Sequence, residues 1–372
     1  MFDVDRIRDA FPYLAQNVYL NTASVGLSWV EQGRAAAEFY ELKARGTAGM
    51  RAWTAKAEAT KHELATLLHV PAATIDFVSS TTEALNLIAL GIPLRKGDEV
   101  VVAEDEFPSV VMPWTNLIPN GVKLVRVPVG QEAERTRLLC DAISVRTRVL
   151  AVSHVHWRTG TRVNLSQLIA ACRARECRLI VDGVQAVGAL PVDAAGVDAY
   201  CASVFKWLLS GFGLGFVALS ERLAGELNPV VRGYANGLPS RALRYAHLNY
   251  PGIFALHATL GYLKSVGWQG IHQRVDALAA RAISSLRNQG FEVLTPETAH
   301  GGIVSIRHPQ AATAARLLAA KAIHVEDADP IVRASTHFYN TGDDIDRFLE
   351  GLMGNQGVTR KRGHAGRRDP AG

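Results

Sequence analysis

The chain has 372 residues, 48% of them hydrophobic and 20% charged, with a formal net charge of +5. That size and mix allow a substantial buried core and exclude a disulfide mini-protein, an intrinsically disordered chain and a fibre. The positive balance raises nucleic acid or a membrane surface as partners, so where it lies along the chain decides what it means.

The early and middle sequence alternates short apolar runs with amphipathic stretches. The runs predict strands at Ile75–Ser79, Glu99–Ala103, Lys123–Val127, Arg148–His154, Arg178–Asp182, Asp198–Ser203 and Gly215–Leu219, with helices over Thr82–Leu90 and Leu165–Glu176. Strands interleaved with helices indicate an α/β fold with a mostly parallel sheet covered on both faces, which places ligands beyond the carboxyl ends of its strands. After about residue 250 the rhythm changes. Helices are expected at Ile253–Val266, Val275–Asn288, Ala311–Ala320 and Asp343–Leu352, and strands at Phe291–Thr295, Gly302–Arg307, Ala322–Glu326 and Ile331–Phe338. The expected division is an N-terminal segment 1–20 packing with a small domain, a large domain 21–250, the small α+β domain 251–355, and a tail 356–372.

That tail carries most of the charge. Arg360, Lys361, Arg362, Arg367 and Arg368 against Asp369 leave it at +4 and the body close to neutral. With Val358 as its one large aliphatic residue it cannot offset its ordering entropy by burial, and it reads as a basic disordered tail. Nucleic-acid binding through it stays as the alternative of another class, disfavoured because no aromatic residues are interleaved. Cys140, Cys172, Cys177 and Cys201 lack zinc spacing, so no metal is expected. No signal-like N-terminus and no 18-residue apolar run occur, so the expectation is a reduced, cytoplasmic protein with no membrane span.

Three stretches carry chemistry. Thr81 and Thr82 follow a strand and open a helix, where hydroxyls and backbone N–H groups make an anion site; a plain helix cap is the other reading. Asp182 ends an apolar strand, and a carboxylate buried there needs a cation or donors; it could equally cap the following turn. Lys206 sits among apolar neighbours after another strand, where desolvation would lower its pKa and make the amine nucleophilic, against the plainer reading of a snorkelling surface lysine. Gly211-Phe-Gly213-Leu-Gly215 does not open a helix and is weak as a dinucleotide loop. Together, a phosphate cradle, an acid for a pyridinium nitrogen and a Schiff-base lysine are what pyridoxal 5'-phosphate requires.

With Ser80-Thr-Thr-Glu-Ala-Leu-Asn86, Ser153-His-Val155 with Thr159-Gly160, Asp182-Gly-Val-Gln185, Ser203-Val-Phe-Lys206-Trp207 and Val332-Arg-Ala-Ser-Thr-His-Phe-Tyr-Asn340 in order, the sequence resembles the class V aminotransferase and cysteine desulfurase family of fold-type I pyridoxal-phosphate enzymes. The resemblance spans Tyr19 to Ile345. It implies a fold-type I transferase fold with a seven-stranded large-domain sheet. Lys206 would hold the cofactor as a Schiff base and move the α-proton. Asp182 would keep the ring nitrogen protonated, Gln185 would donate to the ring's phenolic oxygen, and Thr81, Thr82 and Ser203 would bind phosphate. Arg333 would clamp the substrate α-carboxylate, a bidentate task suited to a guanidinium. Asn21, in the Tyr19–Ser24 motif, joins it as a substrate contact.

Three departures from the pattern matter. Desulfurases place a histidine over the ring, whereas Glu106-Phe107-Pro108 puts Phe107 there, as a similar Phe-Pro motif does in kynureninase-like relatives. The residue before the lysine is Phe205 rather than His, leaving a phosphate ligand missing; His247 lies where relatives send a residue into the neighbouring subunit's phosphate site. A persulfide relay needs a cysteine shortly before the clamp arginine, and no Cys follows Cys201. At another strand end, His156 is a candidate acid for a leaving group or a histidine satisfied by backbone. Trp157 and Arg158 are candidates to line the pocket, Arg158 facing a second anionic group. The expected function is C–S β-lyase-type elimination from an amino acid or its conjugate, in a homodimer with shared active sites, with class V transamination or epimerisation as the alternative.

Overall fold

The computed structural model describes residues 3–129, 134–235 and 243–363, with side chains through Gly354. The chain opens with α1 (Val4–Asp9) and β1 (Val18–Tyr19), then α2 (Gln32–Lys43) and α3 (Met50–Leu68). A run of alternating elements follows: β2 (Ile75–Val78), α4 (Thr81–Gly91), β3 (Glu99–Ala103), α5 (Pro108–Thr115), β4 (Lys123–Val127), α6 (Arg135–Asp141), β5 (Thr147–Ser153), α7 (Leu165–Ala174), β6 (Arg178–Asp182), β7 (Ala199–Ser203), β8 (Gly215–Leu219) and α8 (Glu221–Glu226). The remainder is α9 (Tyr250–Val266), α10 (Trp268–Asn288), β9 (Ile303–Arg307), α11 (Ala311–Ala319), β10 (Ile323–His324), β11 (Glu326–Asp327), β12 (Ile331–Ser335) and α12 (Gly342–Gly363).

All seven expected strands of the first part join one sheet in the order β2-β8-β7-β6-β5-β3-β4. Its pairings are parallel except those of β8, which runs antiparallel to both β2 and β7. The strands are apolar along their length because both faces are covered. Alternate residues serve two cores: Val101, Leu150, Leu179, Val181, Tyr200 and Phe216 lie in one, while Val100, Val149, Ile180, Cys201 and Val217 lie in the other. Leu64 of α3, Leu168 of α7 and Leu256 of α9 belong to the first core; Leu85 of α4, Trp114 of α5 and Leu223 of α8 belong to the second. Each fully buried large aliphatic or aromatic side chain contributes roughly 1.5–3 kcal/mol.

A third core unites the C-terminal part. Leu278, Ala282 and Leu286 face inward from α10 at helical spacing and pack with Val304, Val332, Leu318 and Phe348. A three-stranded sheet ordered β11-β12-β9 is antiparallel. The N-terminal β1 pairs in parallel with β10, and Arg8 is ion-paired with Asp344 (3.0 Å).

Several elements differ from expectation, among them α10, which starts at Trp268 rather than Val275, and β12, which ends at Ser335 rather than Phe338. Phe291–Thr295 is not a strand: Val293 makes an isolated bridge with Ile306, because Thr295 Oγ1 accepts the Ser305 N–H (2.8 Å) and Pro296 follows with no N–H to extend a ladder. Ala322–Glu326 divides into β10 and β11, which pair with different sheets. The last helix continues to Gly363, so the expectation of disorder from residue 356 is corrected over 356–363; residues 364–372 lie outside the described residues. Among the described residues no helix is long and apolar enough to cross a membrane.

The sheet edge after β6 is packed to contact. A Cβ on Gly183 would overlap the fully buried Tyr200 ring. Gly183→Ala is expected to destabilise the fold by about 1–3 kcal/mol, read as a lowered midpoint in urea unfolding; an unchanged midpoint would contradict that packing.

Candidate active site

Because β8 runs opposite to its neighbours, its first residue lies at the carboxyl edge of the others: Gly215 pairs with both Val78 and Ser203. Asp182 and Ser153 end β6 and β5 at the same edge and pair with each other. The loops carrying Thr81, Phe107, His156, Gln185 and Lys206 therefore leave the sheet side by side.

At the start of α4 the Ser80 hydroxyl caps the helix by accepting the Glu83 N–H (3.1 Å), and Glu83 returns the bond by accepting the Ser79 N–H (2.6 Å). The Thr81 N–H donates to Ser203 Oγ (2.9 Å), the Ser203 N–H donates to Thr81 Oγ1 (2.7 Å), and Thr82 Oγ1 meets Ser109 Oγ (2.9 Å). Four hydroxyls thus cluster at a helix N-terminus, where the macrodipole favours a phosphate. The cap belongs to Ser80, which leaves the Thr81 and Thr82 hydroxyls to bond Ser203 and Ser109 at the edge.

Asp182 is 4% exposed and accepts the Val184 N–H (2.9 Å). Burial pushes its pKa up to about 6, against the Val184 hydrogen bond and the Lys206 charge. Lys206 shifts the other way: burial lowers it to about 8, although the Asp182 carboxylate opposes the drop. Its backbone is clamped. Gly26 N–H donates to Phe205 O (2.9 Å), and a Cβ on Gly26 would overlap the Lys206 carbonyl. Trp207 Nε1 donates to Gln185 Oε1 (2.8 Å), Gln185 Nε2 donates to Ala23 O (3.0 Å), and His337 Nε2 meets Trp207 O (3.1 Å).

On the facing side Phe107 and Trp157 meet edge to face with centroids 5.6 Å apart. Phe107 is 38% exposed and follows Glu106, which bonds Ser153, the cross-strand partner of Asp182. Behind it, the buried Arg135 bridges Asp105 (2.9 Å) and Glu106 (3.1 Å), and Glu106 accepts both the N–H (2.9 Å) and the hydroxyl (2.6 Å) of Ser153. His156 has both ring nitrogens engaged, Nδ1 with Thr159 Oγ1 (2.9 Å) and Nε2 with Asp105 O (3.0 Å), which is the backbone-satisfied alternative; burial, aided by Arg135, lowers its pKa. His154 is likewise held by Tyr200 (3.0 Å) and pushed down to about 3 by burial.

Arg333, on β12, donates to Trp157 O (2.9 Å) and Ser24 Oγ (2.5 Å), and its Nε, buried, has no partner among the described residues. Asn21 adjoins it through a bridge to Ser335 and donates to Glu326 (3.0 Å). Arg158 lies over the Trp157 ring (5.8 Å to the centroid) and its Nη2 holds the Ala328 and Asp329 carbonyls (3.1 and 3.0 Å). His247 stands apart, its ring against Tyr234 (5.2 Å). The segment bearing it shares a cleft of about 180 Å³ with Ser79 and Glu83. Sequence reading missed Glu326, Ser24 and the Arg135–Glu106 pair. Glu326 had a usable signal, because the two strands expected around it form a hairpin with Arg333 on the return strand.

The set fits a phosphate-bearing heterocycle with a basic ring nitrogen. A buried carboxylate with no arginine partner among the described residues, an amine of lowered pKa, a hydroxyl-lined helix N-terminus and an aromatic ring each match one part of pyridoxal phosphate. The sequence profile of the Aminotransferase class-V family matches residues 34–348. A protein named probable cysteine desulfurase from Methanothermobacter thermautotrophicus is 27% identical over 93% of this chain and 96% of its own. The isopenicillin N epimerase of Streptomyces clavuligerus is 28% identical over 78% of this chain and 82% of its own. The solved apo cysteine desulfurase of Thermococcus onnurineus, 23% identical, superposes with a TM-score of 0.86 over 95% of this chain and 97% of its own and so shares the fold. The chain belongs to the class V aminotransferase family and is a pyridoxal-phosphate-dependent enzyme, a lyase or a transferase.

Proposed function

We propose that the enzyme catalyses C–S β-elimination from a sulfur-bearing amino acid or its conjugate, without a persulfide relay. The observation that carries this reading is the lack of a thiol beside the clamp arginine in an otherwise desulfurase-like frame. No cysteine follows Cys201, and Arg333 is flanked by Ser24, Asn21 and Glu326. Elimination needs no such thiol.

Pyridoxal phosphate, when bound, supplies the electron sink for breaking bonds at the α-carbon. Thr81, Thr82 and Ser203 would hold its phosphate, Asp182 its ring nitrogen, Gln185 its phenolic oxygen and Phe107 its ring face. Arg333 binds the substrate α-carboxylate through the guanidinium that still has an unpartnered N–H. Lys206 Nζ takes the proton from the α-carbon, a task suited to an amine lowered to about 8. The β-carbon–sulfur bond then breaks, and the sulfur leaves with its electron pair and acquires a proton. The remaining 2-aminoacrylate hydrolyses to pyruvate and ammonia. The Trp157 and Phe107 rings, packed edge to face, would line the face where this occurs. A second copy completes the site in this reading, with His247 reaching the partner's phosphate. The exposed Phe212 and Tyr234 suit that contact between copies.

Epimerisation is the second reading, favoured by the isopenicillin N epimerase relative. It shares proton removal by Lys206 and differs in returning a proton to the opposite face. Incubation with cysteine S-conjugates separates the two: pyruvate, ammonia and thiol in equal amounts are expected. Inversion of the α-carbon without pyruvate, or a new amino acid at constant amine count, would overturn the elimination. Lys206→Ala is expected to lose both turnover and the visible Schiff-base absorbance, and a purified protein that neither carries nor takes up pyridoxal phosphate would contradict the whole assignment.

The titration of Lys206 gives an independent check. In the apo-protein, reductive methylation of Lys206 is expected to rise through pH about 8 rather than at ordinary lysine values. The Asp182 carboxylate stabilises the ammonium, so Asp182→Asn is expected to move the rise to lower pH. Mass-spectrometric labelling against pH reads both; a shift to higher pH would contradict the pairing.

A further inference from the structure

Glu326 stands inside this site and none of the steps above uses it. In the hairpin of β11 and β12, Glu326 is the direct cross-strand partner of Arg333, so the two side chains rise from the same face. Glu326 Oε2 lies 4.0 Å from Arg333 Nη2. It accepts hydrogen bonds from Ser24 Oγ (2.6 Å) and Asn21 Nδ2 (3.0 Å). Ser24 Oγ in turn accepts from Arg333 Nη2 (2.5 Å), so the hydroxyl relays between the two charges. The carboxylate is fixed in place, yet its side chain is 37% exposed while that of Arg333 is 5% exposed. It keeps an open side next to the clamp.

Its charge is equally well defined. Burial would raise its pKa, but the hydrogen bonds from Ser24 and Asn21, with the charges of Arg333 and Lys206, outweigh burial and hold it below the usual range. It is therefore ionised at neutral pH. A substrate whose side chain ended in a second carboxylate would bring a like charge to a fixed one in a partly dehydrated site, where Coulomb terms are several times larger than in water. Arg158, a neighbouring cation, is held by its Nη2 on the Ala328 and Asp329 carbonyls rather than on Glu326.

We propose that Glu326 is a specificity-determining residue: it selects substrates whose side chain ends in a cationic or hydrogen-bond-donating group and rejects those ending in a second carboxylate or sulfinate. The inference deepens the proposed function and rests on Arg333 as the α-carboxylate clamp. It works by both attraction and repulsion, which is how discrimination between similar ligands is built.

The test is isothermal calorimetry on the holoenzyme with pentanoate, glutarate and 4-guanidinobutyrate. None has an amine able to condense with the cofactor, so the titration reads recognition apart from turnover. Glutarate is expected to bind about tenfold more weakly than pentanoate, and 4-guanidinobutyrate about tenfold more tightly. Glu326→Gln is expected to collapse both gaps to within about twofold. Glu326→Asp, which keeps the charge, should restore the order, as a merely loosened site would not. Equal affinities for glutarate and pentanoate in the native enzyme, or gaps that persist in Glu326→Gln, would overturn the proposal. Arg333→Ala tells the two readings apart. Undiminished pentanoate binding in that variant sinks the clamp itself. Lost pentanoate binding there, with gaps that persist in Glu326→Gln, sinks only the role of Glu326.

Discussion

The site depends on two opposite charges withdrawn from water at one sheet edge. Asp182 and Lys206 are each destabilised in their charged form by burial, and each partly offsets the other. Placing either alone in this surrounding would cost several kcal/mol, and the group would neutralise instead. Held together, the acid is raised to about 6 and the amine lowered to about 8, so both sit near neutrality without leaving the ionisable range. In the proposed function this suits Asp182 to keep a ring nitrogen protonated while Lys206 gives and takes a proton.

Rigidity at the edge comes from shared backbone contacts more than from additional charges. Gly26 and the Ala23 carbonyl bring the segment after β1 against Phe205, Lys206 and Gln185. The same segment supplies Asn21 and Ser24 to Arg333 and Glu326. It thus touches the lysine loop on one side and the C-terminal hairpin on the other. Arg135 plays the matching part behind Phe107, where its two acidic partners fix the loop that presents the ring.

Much of this was legible in the sequence, for a physical reason. Buried parallel strands are written as short apolar runs, and all seven runs became strands of one sheet, four of them with their ends unchanged. Asp182 and Ser203 end such runs, and Thr81 and Lys206 come shortly after them, so locating the strands located the residues. Long-range partnerships were not legible. Nothing local says that Arg158 turns to the Ala328 carbonyl, that both nitrogens of His156 are taken, or that Glu326 shares a hydroxyl with Arg333. Phe291–Thr295 misled because its apolar spacing suits a strand, while a side-chain hydroxyl and the following proline decided its pairing. The end of the last helix was misjudged because α12 continues past its apolar residues into a polar, basic stretch, where composition argues against order.

The reversed direction of β8 has a dynamic corollary. The residues at the two ends of the lysine loop, Ser203 and Gly215, are paired to each other, and Val204 and Leu214 continue the pairing by a further hydrogen bond (3.2 Å). The loop is therefore a closed ring seated on the middle of the sheet, with little closure entropy left to lose. Opening it means unzipping two strands that each have neighbours on both sides, so the strands framing the loop should share the protection of the core against amide hydrogen exchange. The loop that carries Lys206 is thereby tied to two strands inside the sheet.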